Sequence, residues 1–190
     1  MGSSDTPTPG ITGQPRGHIT TYTARTIPAI GSCVAAITRT LDEAAHPLAA
    51  IEVRAFRADA QQREHIPAMP EARLLDHPGG LGIIRCTINA GIATSTCCTV
   101  AGASLDLRRY YATSGVMAWM LETLEAELAV ASITSIHIPL TTLVIESDAA
   151  QPDMDAWARD TFTAHSYQLN PEATAFEITL DRTRTPRQHA

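Results

Sequence analysis

The chain has 190 residues, of which 44% are hydrophobic and 18% charged, a size and composition that a single domain with a sizeable core satisfies. Its formal charge is −6, carried against 14 arginines and no lysine, and such an acidic balance argues against a nucleic-acid partner, whose phosphates call for a basic face. There is no run of about 18 apolar residues to span a membrane, and no charged start leading into an apolar core as in a signal peptide, so a cytoplasmic protein is expected.

Residues 1–17 are rich in Pro, Gly, Ser and Thr without periodicity and read as a disordered tail. His18 to Ile27, rich in threonine, isoleucine and tyrosine, reads as a strand that Pro28 and Gly31 break. Ile30 to Ala45 is expected to be helical, with Val34, Ile37 and Leu41 on one face. Pro47 can open a second helix, although Glu52 and Arg54 alternating with Ile51, Val53 and Ala55 leave a strand as the alternative. His65 to Pro70 reads as a loop and Arg73 to Asp76 as a short strand. After the His77-Pro-Gly-Gly80 turn, strands are expected over Leu81–Ala90 and Ile92–Leu107, forming an antiparallel meander.

The next stretch carries the chemistry. Leu105 and Leu107 alternate with Asp106 and Arg108, which reads as the end of a strand. Thr113, Ser114 and Gly115 supply a hydroxyl cap and a flexible turn, and Val116, Trp119, Met120, Leu124 and Leu128 recur at helical spacing. A strand feeding a helix N-terminus in this way offers free N–H groups and a positive dipole end to a phosphate. The long helix is expected over about Gly115 to Ala129. A strand follows over Ile133–Leu140, then a connection from Thr141 to Gln151, a helix from Pro152, and a hairpin of Tyr167–Leu169 with Thr174–Leu180. Residues 183–190 read as a polar tail, which leaves residues 18–182 as one domain.

The segment from Leu105 to Leu121 resembles motif A of the GNAT family, the acetyl-CoA-dependent N-acyltransferases. Leu105 and Leu107 hold its first apolar positions and Tyr111 its tyrosine. Ala112, Thr113, Ser114 and Gly115 hold the Arg-Gly-x-Gly positions, Met117 the last small position, and Met120-Leu121 the closing apolar pair. Asp155, Ala158, Phe162, Ser166 and Tyr167 also fall at the spacing of a second GNAT pattern, with Phe162 at its tyrosine position. The resemblance covers roughly His18 to Asp181. It implies an α/β (α+β) fold, a single GNAT-like domain whose mixed central sheet of about six to seven strands is flanked by about four helices.

That resemblance implies an acyltransferase that moves an acyl group from acetyl-CoA or another acyl-CoA to a small amine-bearing metabolite of specialised metabolism. It would place an acyl-oxygen donor at the N–H of Leu107 and the cofactor along Ala112 and the N–H groups of Thr113, Ser114, Gly115 and Val116. The catalytic candidates are His137 as base, Asp106 at the end of the third meander strand, and Tyr111 as a phenol near the cofactor. Glu146 and Asp148 lie where they could reach an acceptor amine. The alternative is a GNAT-fold protein that has lost acetyl-CoA-dependent transfer, because Phe162 cannot return a proton as a tyrosine would; it would bind a ligand or partner, or run another reaction in the same cleft. Partners are expected to be small molecules, with a homodimer left open. Cys33, Cys86, Cys97 and Cys98 form no CxxC pair, so they read as small buried hydrophobes and no metal site is expected.

Overall fold

The computed structural model describes residues 17–42, 46–61, 63–102, 104–143 and 152–180. Three long antiparallel strands open it: β1 (Gly17–Ile27), β2 (Gly31–Asp42) and β3 (His46–Arg57). A 3-10 turn (Arg63–Ala68) and a short helix, α1 (Glu71–Asp76), lead to β4 (Gly80–Asn89) and β5 (Ile92–Val100). Two consecutive helices, α2 (Leu105–Thr113) and α3 (Val116–Val130), carry the chain to β6 (Ser135–Pro139). A second 3-10 turn (Leu140–Leu143), α4 (Pro152–Ala164) and the hairpin β7 (Gln168–Asn170) and β8 (Ala175–Thr179) complete the described chain.

All eight strands form one mixed sheet in the order β1-β2-β3-β4-β5-β6-β8-β7, with β5 and β6 its parallel pair. The fold is α+β, and the sheet is larger than the six to seven strands expected. The extra strands come from the first half of the chain, where Ile30–Ala45 and the segment after Pro47 were expected to be helices. Instead β2 and β3 alternate their side chains in the manner of strands. Ala35, Ile37, Ile51, Val53 and Ala55 point into one core while Ala36 and Phe56 point into another. The strand alternative at Leu48–Phe56 is the correct one.

Two local expectations also change. Arg73–Asp76 belongs to α1, a helix that follows Pro70 and buries Leu74. β5 ends at Val100, and Leu105–Leu107 lies in α2, not at the end of a strand. Gly102 breaks the strand with a φ of +142°, and Ser104 caps the helix by accepting the Leu107 N–H on its Oγ at 3.3 Å. A good cap outweighs four residues of alternation. Elsewhere β1, β4, α3, β6, α4 and the final hairpin fall close to where the sequence puts them. The tails (residues 1–16 and 181–190) and the stretch holding Glu146 and Asp148 lie outside the described residues.

The main core sits between the sheet and α3, which buries Val116, Met117, Met120, Leu121, Leu124 and Leu128. The helix lies close: a Cβ on Gly82 would come within 2.6 Å of the Met120 terminal methyl and 2.8 Å of the Thr99 carbonyl oxygen. Arg25 and Arg39 of the first hairpin reach Glu122 and Glu127 of α3, at 2.6 Å and 3.0 Å. On the opposite face a smaller core of Phe56, Ile66, Met69, Leu74, Ile83 and Cys97 lies under the first 3-10 turn and α1.

Candidate functional site

β5 and β6 share a ladder over three residue pairs only, Ile92↔Ser135, Ala93↔Ile136 and Thr94↔His137. Beyond Thr94 the ladder ends: β6 runs on to Pro139, and the Leu140–Leu143 segment that follows it packs beside β5, with Leu143 buried in the main core.

His137 lies on the face away from α3, because its neighbours Ile136 and Ile138 fill the main core. Its register partner on β8 is Glu177, flanked in the same way by the buried Phe176 and Ile178. The His137 Nε2 lies 3.5 Å from Glu177 Oε1, and Asn170 Nδ2 donates to that oxygen at 3.1 Å. The His137 side chain is 37% exposed and that of Glu177 29%. The pair belongs to a row of aligned residues that crosses all eight strands: His18, Thr40, Ala50, Thr87, Thr94, His137, Glu177 and Gln168. The contact places an imidazole beside a carboxylate that Asn170 orients, two groups able to act together on a ligand. Of the sequence candidates His137 alone has this arrangement. Glu177 and Asn170 were not foreseen, since only strand register brings them beside it.

The row abuts a second set of charges. Arg54, 7% exposed, donates to the Glu52 carboxylate, to the Met69 carbonyl, and to the Ile66 carbonyl at 3.1 Å. Arg85 bridges Glu52 Oε2 at 2.6 Å and Glu71 Oε2 at 3.0 Å, and the Cys97 thiol donates to Glu71 Oε1 at 3.2 Å. Burial, then its bond to Glu71, pushes the Cys97 thiol up to about 12. Burial likewise pushes Cys86 to about 12 and raises Cys33 and Cys98. All four thiols are free and buried, and they stay protonated at neutral pH, which suits packing and not nucleophilic attack. On the helix face, His165 Nδ1 lies 3.7 Å from Glu125 Oε1, and burial followed by the Glu125 charge raises the neighbouring Tyr167 phenol.

The residues that the resemblance assigns to a cofactor lie across the junction of α2 and α3. Asp106 is exposed in the first turn of α2, and Tyr111 is buried on the same helix, its ring 5.9 Å from that of Tyr110. The N–H of Leu107 is taken by Ser104. Ala112 and Val116 are buried. The Thr113 hydroxyl donates back to the Arg109 carbonyl at 3.0 Å and the Ser114 hydroxyl to Tyr111 at 3.2 Å, while the Ser114 N–H is spent on Tyr110 at 2.9 Å. Gly115 links the helices at a φ of +95°. Here the C-terminal end of one helix, with its negative dipole, runs into the N-terminus of the next. Of the N–H groups that the resemblance assigns to a pyrophosphate, that of Ser114 is spent within the chain, while α3 begins after Gly115 with no side-chain cap.

Phe162, at the tyrosine position of the second pattern, is fully buried and stacks on Phe176 with ring centroids 4.8 Å apart. No group of three or more His, Cys, Asp or Glu able to hold a metal exists among the described residues. No helix among them is long and apolar enough to cross a membrane. Comparison of the chain with protein-family models, with curated proteins and with solved structures gives no match in any of the three.

Proposed function

We propose that this chain is a GNAT-like protein that does not transfer acyl groups from coenzyme A, and that it binds a small amine-bearing molecule at His137 and Glu177. The observation that carries this reading is the His137–Glu177–Asn170 arrangement at the end of the β5–β6 ladder. Glu177 offers a carboxylate to a protonated amine, and His137 offers an adjacent group that can accept or return a proton. At the helix junction the Thr113 and Ser114 hydroxyls and the Ser114 N–H are spent within the chain, which leaves a pyrophosphate fewer donors than the resemblance assigns and supports a ligand other than coenzyme A.

A second reading keeps acyl transfer. It draws on the short parallel ladder of β5 with β6, and on α2, which starts under the Ser104 cap soon after β5 ends at Val100, one segment earlier than the resemblance places the strand-to-helix passage. Both readings put an amine at His137, and they differ in the need for coenzyme A.

Thermal-shift titration separates them, with acetyl-CoA in one arm and ethanolamine, putrescine and spermidine in the other. The first reading expects no shift with acetyl-CoA at millimolar concentration. It expects an amine to raise Tm by about 5–10 °C at a hundredfold excess over Kd, from roughly 2.7 kcal/mol of linkage. Glu177→Gln should remove that shift. Saturable stabilisation by acetyl-CoA establishes the second reading in place of the first.

A further inference from the structure

Among the described residues the sheet ends at β1 and at β7, and the two edges are built differently. β7 is an edge of three residues, closed by a turn in which Asn170 Oδ1 accepts the N–H groups of Glu172 and Ala173 at 3.1 and 3.2 Å. β1 is an edge of eleven residues, paired with β2 in unbroken register from Gly17↔Leu41 to Ile27↔Gly31. The ladders β2–β3, β3–β4 and β4–β5 each contain a register shift, whereas β1–β2 has none. Sheet edges are normally guarded by short length, bulges, proline or charge. β1 has no proline, acid or lysine, and its one arginine, Arg25, reaches Glu122. It also exposes two large apolar side chains, Tyr22 at 59% and Ile19 at 49%.

We propose that β1 is the interface of a two-fold symmetric homodimer, pairing antiparallel with β1 of a second copy so that the two sheets become one. Full overlap of the two strands places the axis at Tyr22, the central residue of Gly17–Ile27. Tyr22 then faces Tyr22 of the second copy, Thr21 faces Thr23, Thr20 faces Ala24, Ile19 faces Arg25 and His18 faces Thr26. Aromatic and threonine pairs meet, and no like charges stand opposite one another. This register also keeps the α3 faces of both copies on one side. A slip of one residue would set the helix-covered face of one copy against the opposite face of the other. The strand offers about ten interchain backbone hydrogen bonds, the number a standard interface carries. A second copy supplies an edge of the same eleven residues, with aromatic and threonine pairs about the axis and no like-charge clash.

The test is sedimentation of the full chain across concentration together with cross-linking of a Tyr22→Cys variant. The four natural cysteines are buried, so the new thiol reports alone. A dimer is expected at about 0.1 mM protein. Mild oxidation should join two Tyr22→Cys chains, since directly opposed strand residues lie within disulfide reach. The double variant Thr20→Lys, Tyr22→Lys should raise the concentration needed for dimer at least tenfold while keeping the wild-type circular dichroism spectrum. A wild-type chain that stays monomeric, or a dimer that survives the lysines or fails to cross-link through residue 22, overturns the proposal.

Discussion

Toward α3 the strands present Val53, Ile84, Cys98, Ile136 and Phe176, all buried; on the other side the same strands present Glu52, Arg85, Thr94, His137 and Glu177. The first face is closed by α3 and α4. Among the described residues, the 3-10 turn and α1 cover one end of the second. Apolar burial accounts for the first face, because it lowers the free energy of any sheet that can recruit a helix. No such term accounts for the half-exposed His137 and Glu177 side by side on the second. The difference teaches that stability and candidate chemistry are separated by the pleat, and that single substitutions can address them one at a time.

The largest effect is expected on the apolar face. Leu124→Ala removes a fully buried side chain from α3 and should cost about 2–5 kcal/mol, readable as a lower denaturation midpoint with no change in ligand binding. Next comes the buried charge that holds the cover on the polar face. Arg54→Ala leaves the Ile66 and Met69 carbonyls without their donor, and should cost about 3 kcal/mol, because Arg85 still meets Glu52. Hydrogen exchange should then quicken over residues 63–76 before it does in α3.

Alkaline pH probes both faces through the thiols. Cys86 lies on the helix face and Cys97 on the other, and each is raised from 9.0 to about 12 in the fold. Below pH 9 both folded and unfolded thiols are protonated and the shift has no effect. Above it the unfolded chain releases protons that the folded chain retains, so stability falls as pH rises from about 9 toward about 12. Cys97→Ala should flatten part of that decline. The smallest stability change belongs to the candidate site: His137→Ala should move unfolding by no more than about 0.5 kcal/mol, since the Glu177 pair is half-exposed. The same change should abolish the amine-induced shift. A large loss of stability instead would make the pair structural.

The second half of the chain was legible because its signals are strong and local. Five apolar residues at helical spacing announce α3, Pro152 announces α4, and Asn170-Pro171 announces the last turn. The first half misleads because alanines at 35, 36, 49, 50 and 55 fit helix and strand alike. What decides β2 and β3 is pairing on both sides, which no short window displays. At Leu105–Leu107 alternation over four residues competes with a cap at Ser104, and the cap prevails. The same limits apply to the candidate site. A histidine on a strand is visible as a type and a position, but its carboxylate partner depends on the register of β6 against β8.

The most direct measurement is the proton NMR signal of the His137 ring, assigned by its loss in His137→Ala, during titration with the amines and separately with acetyl-CoA. The account predicts that the signal moves saturably with an amine and stays fixed with acetyl-CoA. A fixed His137 signal in the amine arm, with acetyl-CoA instead perturbing residues 101–116, would contradict it.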